Sequence, residues 1–259
     1  MKSLIDTSVF VGNWPFQPLK ENTCATLKRH LTSYGVTQAW VANVEAVLLP
    51  DPMYGNETLF TELPSDPFFV PVVIINPTLA TWRADLQYCI AQGARAVKIL
   101  PNYHQYTLDE PVVSELVQAA HADGLTLCVQ MRITDERAHH PLMKVPCVPA
   151  AALAALAKQH PYARFLACAV FHAELPRLAG IANVWAELSH VESMETLVTA
   201  LQVMGDDHLV FGSHSPFLYF KAVQAKLACS PGTVSEQTLD KVSYANAQTL
   251  LGSDLNNHR

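Results

Sequence analysis

Four stretches of the chain repeat one pattern of apolar and polar positions. In ATLKRHLTSYGVTQAWVANV, LQYCIAQGARAVKIL, VSELVQAAHADGLTLCVQM and LVTALQVMGDDHLVFGS, apolar residues recur at helical spacing and stop at a glycine (Gly35, Gly93, Gly124, Gly205). A short continuous apolar run then follows. Glycine at such a junction takes the left-handed conformation that ends a helix. A run of Val, Ile and Leu without alternation is what a parallel strand covered on both faces requires. Extended over the whole chain, this reading predicts eight strands, near Leu4–Thr7, Ala39–Val44, Phe69–Ile75, Ala96–Leu100, Leu125–Gln130, Phe165–Ala169, Val184–Leu188 and Leu209–Gly212. Helices separate them, for example Pro149–Gln159 and Glu192–Met204. Eight strand–helix units in 259 residues, with no second composition regime, predict a single (βα)8 TIM barrel spanning residues 1–259. The chain has neither GxGxxG nor GxxxxGK(S/T), the usual signs of a nucleotide-binding open sheet.

Composition narrows the function classes. Half of the residues are hydrophobic and only 15% are charged, so a large core can form without staples. A formal charge of −6, a pI near 6.0 and the lack of a Lys/Arg cluster exclude a nucleic-acid surface. No run approaches the roughly 18 apolar residues of a membrane span, and MKSLIDTSVF reads as a strand rather than a signal peptide. A cytoplasmic protein is expected, acting on a small molecule, with a homo-oligomer left open. The six cysteines (Cys24, Cys89, Cys128, Cys147, Cys168, Cys229) contain no CxxC pair and are expected to be reduced.

In a barrel the loops after the strands gather at the C-terminal face, where active sites form. Here they are Gly12–Leu19, Glu45–Tyr54, Pro101–Glu110 and Ile133–Val148. The longest carries Arg132, Arg137, His139 and His140 and is expected to be a solvated lid. The most informative segment is LVFGSHSPF, Leu209 to Phe217, a buried run that breaks at Gly-Ser and presents one ionisable side chain, His214. That segment resembles FGSDYPF, the eighth strand of the amidohydrolase-related metal-dependent hydrolases of the aminocarboxymuconate-semialdehyde decarboxylase type. Three more segments support the resemblance, in order and at barrel spacing. IDTSVFVGNWPF is similar to a first strand IDxHxHxG, GARAVKILPNYHQ to GFRGVKLHPNYQ, and VSYANAQTLLG to a closing GNAARLLGL.

The resemblance implies a metal held by the two His of HxH, a His on strand five and the Asp on strand eight, with a further His on strand six. At those places this chain has Ser8, Phe10, Gln130 and His214, and Cys168 or Ala169 on strand six. Phe10 offers no ligand atom, and zinc prefers Cys, His and carboxylate over Ser or Gln. The expectation is therefore that the family metal site is largely lost and no cofactor is bound. His172 and His190 follow strands six and seven, so a displaced His172/His190/His214 site for zinc or a similar ion is an alternative.

Lys98 lies inside an otherwise apolar strand, where an unpaired charge is costly. It either orients an anionic substrate or pairs with Glu187 or Asp6. His214 is a candidate general base, with Ser8 or Ser213 as partner. Ser8, Gln130, His172, His190 and Trp14 are candidate substrate contacts, and Phe217, Tyr219 and Phe220 are expected to rim the cavity. Asn43, Asn76 and Asn102 are read as turn residues and Asp6 as a brace for strand one. The resemblance implies a hydrolase or decarboxylase acting on a small, possibly carboxylated molecule; the alternative is a non-catalytic barrel that binds a metabolite or partner. An enzyme requires His214, Lys98 and Gln130 to converge in one cavity. A non-catalytic barrel leaves that space filled by Phe10 and other apolar side chains.

Overall fold

The computed structural model describes residues 3–140, 144–228 and 232–252. Its eight strands are β1 (Ile5–Val11), β2 (Gln38–Asn43), β3 (Phe69–Ile74), β4 (Ala96–Ile99), β5 (Thr126–Gln130), β6 (Phe165–Cys168), β7 (Val184–Glu187) and β8 (Leu209–Val210). They pair in sequence order, and every neighbouring pair is parallel. Four backbone contacts between β1 and the β8 end close the ring. Thr7 N–H donates to Phe211 O at 3.0 Å, His214 N–H to Ser8 O at 2.8 Å and Phe10 N–H to Ser215 O at 2.8 Å, and Val9 bridges Ser215 in parallel. This is the predicted TIM barrel.

Three of the four repeated junctions use one capping geometry. Val36 N–H reaches back to Leu31 O, Ala94 N–H to Cys89 O and Leu125 N–H to Ala120 O, at 3.2, 3.0 and 2.8 Å. These are six-to-one bonds of the Schellman type, and the glycine before each donor has positive φ. The cap turns the chain directly from helix into strand, which explains why the apolar run starts one residue after each glycine. Gly205 ends its helix more simply, with a single bond to Leu201 O at 2.9 Å.

Two apolar layers result. One lies between strands and helices and includes Val9, Val73, Val97, Val129, Ala167 and Phe211. The other fills the barrel and includes Phe10, Trp40, Ile74, Cys128, Leu166 and Val210, with Leu250 and Leu251 from the last helix. Alternation along each strand divides the side chains between these layers.

The structure moves some predicted boundaries. β1 extends to Val11, although Thr7 and Ser8 interrupt its apolar run; the register slips between Asp6 and Val9, and Thr7 Oγ1 donates to Phe211 O at 2.9 Å. The predicted helix from Glu192 starts at Thr196, behind Glu195, whose φ of 52° is not helical. The helix predicted from Pro149 runs Ala150–Gln159, with Pro149 as its cap. Cys24, Cys89, Cys128, Cys147 and Cys168 are free thiols, as expected, and Cys229 lies outside the described residues. Among the described residues no helix is long and apolar enough to cross a membrane.

Asn246 locks the last helix onto the barrel, because its Nδ2 donates to Asp206 O at 2.7 Å and Leu209 O at 2.8 Å. Asn246→Ala leaves buried carbonyl groups without those donors. The expected loss is about 1–3 kcal/mol of unfolding free energy, read in urea melts as a lower midpoint with an unchanged slope.

Candidate active site

The polar residues at the C-terminal end of the barrel rest on the β1–β8 seam. Asp6 Oδ1 accepts the N–H groups of Ser213 at 2.8 Å and Ser8 at 3.2 Å, so one buried carboxyl holds both sides of the seam. Burial pushes the Asp6 pKa from 3.8 up to about 7. Asp6 is thus the brace read from the sequence.

Directly after Ser213 the chain places His214 at a φ of 57°, a left-handed conformation unusual for a residue with a Cβ. Its ring is fully buried, and Nε2 donates to Ile133 O at 2.7 Å. Nδ1 has no hydrogen-bond partner. The Ser–His dyad expected from the sequence does not form. The His214 partner is a backbone carbonyl, while Ser213 Oγ donates to Ser215 Oγ at 2.7 Å and Ser8 Oγ is buried without a partner. Burial, and the neighbouring His190, hold the His214 pKa well below the usual 6.5, so the ring is neutral.

His190 packs against it edge to face, with ring centroids 4.8 Å apart. Its Nδ1 lies 2.8 Å from Ser189 Oγ, and that hydroxyl donates to Glu187 Oε1 at 2.7 Å. Glu187 also accepts the Ser189 N–H at 2.5 Å and the Ala169 N–H. Burial raises the Glu187 pKa and lowers that of His190 to about 4.

Lys98 on β4 meets Gln130 on β5, with Nζ donating to Gln130 Oε1 at 2.6 Å, and Gln130 Nε2 donates on to Arg132 O at 2.7 Å. The ammonium also lies 4.5 Å from the centre of the Phe10 ring. The ion pair with Glu187 or Asp6 considered from the sequence is not formed among the described residues. Phe10 in turn packs edge-on against His214 at 5.1 Å and Phe217 at 5.7 Å. Trp14 covers Phe217 at 5.7 Å and Tyr103 at 6.3 Å. Trp14 and Phe217 therefore form an aromatic cluster over Phe10, and neither lines the cavity beside it. Tyr219 and Phe220 do not join it: Tyr219 is exposed, and Phe220 stacks on Tyr34 outside the barrel.

Beside this aromatic cover lies a cavity of about 640 Å³ lined by Arg132, Arg137, Phe171, His172, Glu174 and His190, among others. His190 joins this cavity to the buried group. The displaced arrangement of His172, His190 and His214 needs correction, because the residues whose donor atoms lie within 4.8 Å of one another are Glu187, His190 and His214. His172 lines the cavity instead, with a buried Nε2 that has no partner. Arg132 also departs from the solvated lid. It is buried, pairs with both oxygens of Glu174 at 2.7 and 3.0 Å, and stacks 3.7 Å over Phe171. Asn43 and Asn76 do cap turns, accepting Glu45 N–H at 2.8 Å and Thr78 N–H at 3.1 Å. Asn102 instead ties the β4 loop to Pro146 O at 3.0 Å. Ser189 was missed as a site residue, although the AELSH segment spaces acid, hydroxyl and imidazole closely enough to bond in series.

Comparison with known proteins now fits this geometry. The amidohydrolase family profile matches residues 60–253. This chain belongs to the amidohydrolase family. No curated protein matches its sequence. Among solved structures it resembles 2,6-dihydroxybenzoate decarboxylase from Rhizobium (TM-score 0.75, 14% identity, 97% of this chain and 99% of the other). It also resembles 5-carboxyvanillate decarboxylase from Sphingomonas paucimobilis (0.73, 15%, 97% and 99%). A third is dihydroxybenzoic acid decarboxylase from Polaromonas sp. JS666, with bound manganese and 2-nitroresorcinol (0.72, 15%, 97% and 97%). At these identities the likeness is one of fold. The amidohydrolase match begins after β1, the strand that carries Ser8 and Phe10.

The buried groups give opposing pH dependences. Asp6 keeps its proton up to about pH 7 in the folded chain but only to about 3.8 when unfolded, so its contribution declines as pH rises through that window. His190 stays neutral down to about pH 4 when folded, so its contribution is present at neutral pH and is lost as pH falls from 6.5 toward 4. Asp6→Asn removes the first effect and keeps the second. Between pH 4 and 7 the stability of this variant should climb more steeply than that of the parent, by on the order of 4 kcal/mol. Urea melts at each pH measure this, and parallel profiles would refute a protonated Asp6.

Proposed function

We propose that this amidohydrolase-family barrel is an enzyme acting on a small, carboxylate-bearing molecule at its C-terminal mouth, by hydrolysis or decarboxylation. One observation carries the reading. Lys98 is a cation only 2% exposed, and its polar partner is the neutral amide of Gln130 rather than a carboxylate. A buried cation with no carboxylate in contact is unfavourable, and a substrate carboxylate would supply a direct partner where Glu187 acts only through space. In this reading Lys98 orients the carboxylate and Gln130 holds Lys98 in place. His190 presents a neutral imidazole to the cavity, fixed by Ser189 and Glu187, with His214 behind it as the central polar group. Ser8 offers a free hydroxyl, His172 lines the approach, and Trp14 closes the aromatic cover beside it. The decarboxylases of similar fold act on hydroxylated or methoxylated aromatic acids, a class compatible with the aromatic cover here.

We further propose that the metal position implied by the family through strands one, five and eight is not a metal site in this chain. The residues do not fit an ion. Phe10 has no donor atom, Ser8 and Gln130 are weak donors for zinc, and the Gln130 oxygen that would face an ion already accepts from an ammonium at 2.6 Å. A second reading, a metabolite-binding barrel without catalysis, is favoured by one feature: the Phe10 ring fills the space between Lys98 and His214.

Calorimetric titration with 2,6-dihydroxybenzoate and simpler hydroxybenzoates tests the proposal, beside Lys98→Met and His190→Gln. Losing a charge-assisted contact costs about 1.5–3 kcal/mol, so Lys98→Met should weaken binding by roughly tenfold to a hundredfold. Turnover, followed as carbon dioxide release or ester and amide cleavage, should fall in His190→Gln. Binding without turnover would support the second reading. No binding of any carboxylate by the parent would overturn the proposed role of Lys98.

A further inference from the structure

Glu187, His190 and His214 form a cluster whose hydrogen bonds settle where each lone pair lies. A carbonyl oxygen only accepts, so the bond from His214 Nε2 to Ile133 O at 2.7 Å puts the His214 proton on Nε2. The lone pair is then on Nδ1, which is buried and unpartnered. The Ser189 hydroxyl has a single proton, and Glu187 Oε1 takes it at 2.7 Å. Ser189 Oγ must therefore accept from His190 Nδ1 at 2.8 Å, which leaves the His190 lone pair on Nε2. Glu187 Oε1 accepts from both Ser189 Oγ and Ala169 N–H, whereas Oε2 accepts only the Ser189 N–H and keeps a lone pair free.

Three residues thus each retain an unused donor electron pair, and each has one nitrogen or carboxylate oxygen within 4.8 Å of those of the other two. A ligating histidine almost always gives its other ring N–H to an oxygen that fixes its tautomer. Both rings already do so, one to Ile133 O and the other to Ser189 Oγ. The site also depends on a missing side chain: a Cβ at Gly212 would lie 2.8 Å from Glu187 Oε2. Glycine at that position leaves the carboxylate its room.

We propose that Glu187, His190 and His214 bind one divalent transition metal ion of the zinc type, at the ends of β7 and β8. Two imidazoles and a carboxylate are a known catalytic zinc ligand set, with the fourth position open to water or substrate. His190 is the member of the three that lines the 640 Å³ cavity, so water or substrate would reach the ion from that side. The site shares His214 with the position implied by the family but takes its other two ligands from β7 and the loop that follows. This proposal does not depend on the substrate class proposed above, and metal binding is read without turnover.

The test is zinc binding by the full chain after chelation and dialysis, measured by calorimetry and elemental analysis. The expected result is about one zinc per chain in the parent and in Ser8→Ala. Glu187→Gln and His190→Gln, checked for folding by circular dichroism, should bind at least tenfold more weakly. A crystal of the parent soaked in zinc and measured at the zinc absorption edge gives an answer that needs no variant. An anomalous peak bounded by Glu187, His190 and His214 supports the site. A peak beside Ser8 and Gln130, undiminished affinity in both variants, or no zinc in the parent would each overturn it.

Discussion

The C-terminal end of this barrel depends on one buried carboxyl. Asp6 Oδ1 accepts the Ser8 and Ser213 N–H groups, and so fixes two strands that meet only because the barrel closes. The register slip in β1 falls between Asp6 and Val9, and it is there that Ser8 O receives the His214 N–H. That contact holds His214 in its left-handed conformation and aims the ring at Ile133, His190 and Phe10. Strain of this kind persists only where the surroundings over-determine it. Here the surroundings are the seam itself.

Above the seam, charges are isolated rather than paired. Lys98 is held by an amide and an aromatic face, and Glu187 by two N–H groups and a hydroxyl. Desolvation falls hardest on charged forms. It therefore keeps the two histidines between them neutral, with lone pairs available at physiological pH. Arg132 is different, because Glu174 satisfies its fork and Phe171 its face. It is the wall of the cavity rather than a free cation.

The barrel was legible because its signals are local. Continuous apolar runs behind Schellman glycines mark strands covered on both sides, and the structure returns all eight. Strand one was read short because Thr7 and Ser8 look like an ending. The Thr7 hydroxyl and the Ser8 carbonyl are absorbed at the seam, and a seam between residues 204 positions apart leaves no local trace. The same limit explains the site. Lys98, Gln130 and His214 could be located because the first interrupts an apolar strand and the other two fall at or after recognisable strand ends. Which histidine would meet His214 depended on the direction of side chains on the loops after β6 and β7. His190 follows Glu187 by three residues and shares Ser189 with it, which turns it inward. His172 lacks such a tether and lines the cavity.

The aromatic ring on strand one ties these observations together. Phe10, on strand one, touches both Lys98 and His214. An imidazole there would bring its own need for a hydrogen-bond partner beside an ammonium. A phenyl ring instead offers its negative face to the cation and its edge to the neutral His214. The same ring fills the room next to His214, so the imidazole that reaches the solvent-side cavity is His190. Phe10, Gln130 and His214 are thus physically coupled, the first two through Lys98 and the first and last by direct ring contact. With Phe10 packed against Lys98 and His214, the buried imidazole that reaches the cavity comes from the β7 side, where Gly212 leaves space for Glu187.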